Sequence, residues 1–275
     1  MKRLQKATAL TFLALVWAGV GCNASAQPEQ SKIEPGQSTT APERSGMQID
    51  PQATDALKRM SQALAKAQAL SFETQMVSDR TSPGGQLVQM TRHGKVLVSR
   101  PDKVFAEVTG DDGNHALWYD ATSLTLLNRS ANAYAKIQVP ASIDKMLDYL
   151  ADKYDATIPM SDLLFPDPYA VLTEKVESGV YLGLHELGGR KCHHLLFTQA
   201  NVDWQIWIDA GEPPVPRKVV IMHKDQPGSP ECAVLLDKWN LAAQPPADAF
   251  RFTAPKDANE IPMDQLLESR KGGKP

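Results

Sequence analysis

Two tight-turn signals, Gly188-Gly189 and Ala200-Asn201, lie inside one stretch of alternating side chains from Val180 to Asp209. This stretch constrains the chain more than any other. A two-residue turn at Gly188-Gly189 sets His185 opposite Cys192, Leu184 opposite His193, Leu182 opposite Leu195 and Val180 opposite Phe197. A second at Ala200-Asn201 sets Phe197 opposite Trp204, Leu195 opposite Ile206 and His193 opposite Ile208. Opposed residues share a face and successive residues alternate. Both turns therefore put Val180, Leu182, Leu184, Leu195, Phe197, Trp204, Ile206 and Ile208 on one face. Tyr181, His185, Cys192, His194, Gln205, Trp207 and Asp209 take the other. A slip of one residue would invert a whole strand, so the agreement fixes an antiparallel meander with one apolar side. That side must be covered by helices, by a ligand, or by both, and the first two helices of the chain are the expected cover.

The same grammar extends over most of the chain. Runs rich in Val, Leu, Ile, Trp and Tyr recur about every ten residues. Turn signals such as Arg100-Pro101-Asp102, Gly110-Asp111-Asp112-Gly113 and Pro227-Gly228 separate them. About eleven strands result. Regular spacing without intervening helices predicts an antiparallel sheet, open or partly closed into a barrel.

Three helices interrupt the strands. Asp50 is a good N-cap with Pro51 at the first helical position, followed by an apolar stripe of Ala53, Leu57, Met60, Leu64 and Ala67. A second helix spans 142–154, striped by Ile143, Met146, Leu147, Leu150 and Tyr154; Asp144, Asp148 and Asp155 read as its solvated side. A third starts at Asp167-Pro168 and runs to about Val176. Residues 263–275, ending Lys-Gly-Gly-Lys-Pro, read as a flexible tail.

The first 26 residues have the layout of a secretory signal peptide: Lys2, Arg3 and Lys6, an uncharged run from Ala7 to Gly21, and the small residues Ala24-Ser25-Ala26. The apolar run, about 15 residues, is shorter than the roughly 20 of a membrane span. Gly19-Val20-Gly21-Cys22 also resembles a lipoprotein cleavage box, so two processings stand open. Removal of 1–26 releases a soluble chain. Removal of 1–21 leaves Cys22 lipidated, which would be the only membrane attachment. Residues 27–49, rich in Gln, Pro, Ser and Thr, read as a disordered linker, and 50–262 as one β domain.

Loss of the leader takes three of the 29 basic residues and leaves 26 against 32 acidic. A net charge near −6 is unfavourable for nucleic acid. Cys192 and Cys232 would usually pair in an oxidising compartment. A meander of consecutive strands instead puts them three strands apart, at opposite ends, roughly 20 Å away from each other, beyond disulfide reach. Both are therefore expected to be free thiols.

No nucleophile elbow, HExxH, phosphate loop or dinucleotide fingerprint is present, so no catalytic residue and no cofactor is assigned. His193 and His194 point to opposite faces and cannot clasp one ion. His185, Cys192 and His194 share a face and are the one weak metal candidate, with no fourth ligand evident.

Several stretches resemble a known bacterial family of predicted periplasmic proteins, domain of unknown function 2092. They are Arg100-Pro101-Asp102-Lys103, Trp118-Tyr119-Asp120, Ser161-Asp162-Leu163-Leu164 with Asp167-Pro168-Tyr169, Val202-Asp203-Trp204-Gln205-Ile206-Trp207-Ile208, and Pro216-Arg217-Lys218. The resemblance covers most of Ile49 to Pro262 and brings no catalytic residues. It implies a LolA-like fold: a mainly β (α+β), strongly curved antiparallel half-barrel whose concave face is covered by two or three helices. It also implies a binding role, with an acyl chain of a lipid or lipoprotein held in an apolar cavity, for which the strand register makes Leu182, Leu184, Leu195, Phe197, Trp204, Ile206 and Ile208 the expected lining. A sensor or interaction protein without lipid (RseB-like) and an uncharacterised enzyme remain as alternatives.

Overall fold

The computed structural model describes residues 48–82, 84–226 and 228–271. The leader, Cys22 and residues 27–47 of the expected linker lie outside them. Among the described residues there are eleven long strands, as the turn spacing predicts, with two two-residue strands added at the sheet edges. The first six are β2 (Ala69–Thr81), β3 (Leu87–Ser99), β4 (Lys103–Gly110), β5 (Gly113–Asp120), β6 (Ser123–Asn128) and β7 (Ala133–Gln138). Five more follow: β8 (Ser178–Leu187), β9 (Arg190–Thr198), β10 (Val202–Asp209), β11 (Pro216–His223) and β12 (Glu231–Asn240). The edge pieces are β1 (Gln48–Ile49) and β13 (Asn259–Glu260). The linker expectation is corrected at its last two residues, Gln48 and Ile49, which pair parallel with Ser178 and Gly179.

The sheet is continuous and open, in the order β1-β8-β9-β10-β11-β12-β2-β3-β4-β5-β6-β7-β13. It is two meanders, β2–β7 and β8–β12, joined where β12 pairs antiparallel with β2 from Cys232↔Ser78 to Asn240↔Ser71. Its concave face carries the main core. Leu70, Phe72, Val98, Tyr119, Leu124, Leu195, Phe197, Ile206 and Val234 are buried there.

Helices fill this concavity for the reasons their sequences give. In α1 (Pro51–Lys66) the Asp50 carboxylate accepts from Gln52 N at 2.8 Å, and Ala53, Leu57, Met60 and Leu64 are all buried. The link between meanders supplies α2 (Ile143–Tyr154), the single 3-10 turn Ser161–Leu164, and α3 (Pro168–Thr173), three residues shorter than expected. Asp167 caps α3 by accepting from Ala170 N at 3.1 Å. Tyr169 N donates to Ser61 Oγ at 2.9 Å, which ties α3 to α1.

The expected flexible tail is corrected as far as Lys271. Residues Met263–Lys271 form a fourth helix, α4, and Met263, Leu266 and Leu267 are buried in the core beside β7. Their three- and four-residue spacing is an apolar stripe, and burying it outweighs the polar end of the segment. Among the described residues no helix is long and apolar enough to cross a membrane.

The convex face is covered on one half only. The segment between β12 and β13 crosses it, burying Phe250 and laying Phe252 5.1 Å from Trp118 and 4.9 Å from Tyr134. Cys192 and Cys232 are both buried and unbonded, as the meander requires.

Candidate functional site

The turn at Ala200-Asn201 positions the pairs its spacing demands: Phe197↔Trp204, Leu195↔Ile206 and His193↔Ile208. Leu195, Phe197, Trp204, Ile206 and Ile208 are accordingly all buried on the concave face. Phe197 and Trp204 stack at 4.2 Å between centroids, 20° from parallel.

Across the other turn the register holds only in part. His185↔Cys192 and Leu184↔His193 pair as expected, but Tyr181, not Leu182, stands opposite Leu195, and Gly179, not Val180, opposite Phe197. The ladder shifts between Tyr181 and Gly183, whose φ of +110° suits glycine. This is a β-bulge: one extra residue, Leu182, enters β8 and swaps the faces beyond it. Val180 therefore turns outward and Leu182 lies in the bulge, whereas Leu184 keeps its expected place opposite His193 and is nonetheless exposed, so none of the three lines the cavity. Val180, Leu182 and Leu184 are 46%, 39% and 54% exposed. Tyr181 takes the inner position, with its hydroxyl 2.9 Å from His193 Nδ1.

One cavity lies where the inner face of β10 and β11 meets its cover. Trp204, Ile206, Val219 and Ile221 form its floor, and Met160, Asp162, Leu163 and Leu172 its roof. That roof is the 3-10 turn and α3, with α1 alongside, where the sequence suggested the first two helices. The cavity has a volume of about 20 Å³, enough for about one water molecule. The wall is apolar, and two of the residues that build it carry buried polar groups. Trp204, only 4% exposed, buries its Nε1–H without an acceptor. Burial also pushes the Asp162 carboxyl up to about 6, because a charge in this position loses its hydration and no cation compensates.

The roof is tied down at its edges. Arg100 Nη1 donates to Leu164 O, while its Nε and Nη2 are buried without partners, and burial lowers its pKa. Sequence reasoning missed Met160, Asp162, Leu163, Leu172, Val219 and Ile221 as lining residues. Their only signal was the Ser161-Asp162-Leu163-Leu164 stretch within the family resemblance.

The outer face holds a polar array on β8 to β11. His194 and Trp207 stack at 3.8 Å and 17°, and Lys218 Nζ lies 4.8 Å from the Trp207 ring. Burial, with help from His185 and Lys218, lowers the His194 pKa against the Gln205 hydrogen bond that raises it. Beside it, Asp209 Oδ2 accepts from Arg217 Nε at 3.0 Å and Nη2 at 2.8 Å. Those bonds and the one from Gly211 N hold the Asp209 carboxyl below its usual range despite partial burial. Among the described residues no three His, Cys, Asp or Glu side chains are placed to hold one ion. The expected set of His185, Cys192 and His194 is thus not assembled as three ligands. The two histidines meet, while Cys192 Sγ points 3.8 Å from Arg190 O.

A family model described as predicted periplasmic protein DUF2092 matches residues 53–264. No curated protein matches the sequence. Among solved structures, an uncharacterized conserved protein from Thermus thermophilus is similar, with TM-score 0.47 and 10% identity over 77% of this chain and 99% of that one. The lipoprotein LppX of Mycobacterium tuberculosis is similar at TM-score 0.46 and 13% identity, over 71% and 98%. A LolA superfamily protein from Nitrosomonas europaea is similar at TM-score 0.36 and 8% identity, over 73% and 97%.

Proposed function

Because the chain belongs to the DUF2092 family of predicted periplasmic proteins, we infer that it works outside the cytoplasm as a binding module, taking an acyl chain of a lipid or lipoprotein between its sheet and its helical cover. The observation that carries this reading is the construction of the roof. Over β10 and β11 it is one 3-10 turn and a six-residue helix, short elements that separate from a sheet more readily than a long helix does. Beneath them the wall is apolar, and one of its residues, Trp204, buries an indole N–H without an acceptor. An ester or amide carbonyl would supply that acceptor, and apolar surface would reward the chain behind it.

The closed cavity holds about one water, so loading requires the roof to lift. A single ionisable side chain lines the cavity, short of the paired groups that acid–base chemistry uses. The leader would direct export, and a lipid on Cys22 would tether the domain if processing occurs before that residue. The mass of the mature N-terminus decides between the two.

The test is titration of delipidated protein with a fluorescent fatty acid. One saturable site is expected, lost in Ile221→Arg, which puts a charge in the cavity floor. Failure of the wild type to saturate would defeat the acyl-chain reading.

One observation favours a second reading, an interaction or sensor module. β8 is nearly an edge strand, since β1 pairs with only Ser178 and Gly179, and it displays Val180, Leu182 and Leu184. Exposed apolar residues on an unpaired edge suit strand addition by another protein. Absence of lipid binding, together with partner capture lost on charging Val180 and Leu184, would favour this reading over the first.

A further inference from the structure

The glycine at the edge of the β8 bulge also matters on the outer face, away from the cavity. Gly183 stands opposite His194, so no side chain fills the space beside that ring. The His185 ring leans into it, and its Nε2 lies 3.9 Å from where a Cβ on Gly183 would be. Its Nδ1 reaches 2.9 Å from Nδ1 of His194.

Three neighbours fix the His194 ring. Trp207 stacks against its face. Gln205 Oε1, an acceptor, lies 3.0 Å from Nε2. An acceptor there requires the Nε2 proton, so the Nδ1 lone pair is free and aims at His185. This arrangement, a carbonyl oxygen holding the far nitrogen of a buried imidazole, is how proteins orient a metal-ligating histidine. His185 is on the exposed side of the pair and is free to adjust.

We propose that His185 and His194 form a two-imidazole site for a divalent transition-metal ion on the convex face, with its remaining positions open to water or an external ligand. Two nitrogens at bonding distance from one tetrahedral ion stand about 3.3 Å apart. An opening of a few tenths of an ångström from the present 2.9 Å achieves this. His185 exchanges its Nδ1 proton for one on Nε2, so both rings bind as neutral ligands and no net proton is released. Imidazole donors suit copper, nickel and zinc, and not calcium or magnesium. The site is independent of the acyl-chain reading and shares no residue with the cavity.

Cu2+ added to untagged protein is the probe. Wild type should take up one equivalent, show two coupled nitrogens by electron paramagnetic resonance, and quench Trp207. His185→Ala, an exposed substitution that leaves the core intact, should weaken uptake at least tenfold and remove the two-nitrogen pattern. Gln205→Ala should weaken it about 10–100-fold by releasing the His194 ring. Cys192→Ser should leave affinity unchanged. The site is overturned if wild type lacks one-equivalent uptake, if His185→Ala binds as wild type does, or if Cys192→Ser abolishes binding.

Discussion

Truncating Trp204 to alanine removes the largest side chain of the cavity floor, and its expected effect can be built from its surroundings. The ring is buried and stacked on Phe197. Loss of a buried aromatic to alanine costs about 3–5 kcal/mol, including a stacking share of about 0.5–1.5 kcal/mol. A term of opposite sign comes from Nε1–H, which is buried without an acceptor. Deleting an unmet buried donor returns about 1–3 kcal/mol. The net cost should therefore be about 2 kcal/mol, a lowering of Tm by roughly 4–8 °C for a domain of this size. Trp204→Phe keeps the stacked ring and removes only the donor and some volume, so it should cost less than about 1 kcal/mol. Urea unfolding followed by far-ultraviolet circular dichroism measures both without relying on the removed fluorophore. A loss under about 1 kcal/mol for Trp204→Ala would refute the register that buries it. Equal losses for both variants would show that Nε1–H makes a bond the fold needs.

Asp162 gives a pH signature. Its carboxyl is raised from 3.8 to about 6, so folding retains a proton that the unfolded chain releases. Stability should be full below about pH 4 and should fall as pH rises through about 6, by at most about 3 kcal/mol. Asp162→Asn should flatten the urea midpoint between pH 4 and 8 and raise it at pH 7; a slope that persists in the variant would exonerate Asp162. Val180→Ser should change stability by no more than about 0.5 kcal/mol, whereas Leu195→Ala should cost about 2–5 kcal/mol. Comparable costs in thermal melts would restore the unbulged register. Gly183→Val forces a branched side chain to φ +110° and should cost about 1–3 kcal/mol. A variant that melts with the wild type would remove the bulge from the argument.

The parts of the fold legible in the sequence are those that one local rule decides. The Ala200-Asn201 turn fixes β9 against β10 because nothing interrupts the alternation on either side. β8 is different. Val180, Leu182 and Leu184 alternate as an inward face would, so pattern alone prefers the unbulged register. The contrary signal was Gly183, a glycine inside a strand, which marks bulges more often than flat pairing. Ser161–Leu164 is too short for any periodicity to show, and Asp162 is a lone carboxylate without a motif. Of the cavity roof only the helix at Asp167-Pro168 was therefore legible, and its place over β10 and β11 was not. For the histidine pair, the Gly188-Gly189 turn places His185 and His194 on one face, but the approach of their rings to 2.9 Å shows only in the folded chain. α4 had its apolar spacing in plain view, at Met263, Leu266 and Leu267, but the polar residues after it pointed to a tail.

The junction of the two meanders sets a schedule for folding. β2 is 13 residues long and pairs with β3 at once, but its other side is completed only by β12, roughly 150 residues later in chain order. A chain made from its N-terminus can finish β2–β7 while β2 still shows an unsatisfied row of backbone donors and acceptors. Such an edge recruits foreign strands until its own arrives. The interval before β12 is thus the period of greatest hazard for this protein. Substitutions that delay β12 should lower yield more than they lower the stability of molecules that finish. Amide exchange across the β2–β12 ladder would be protected last during refolding.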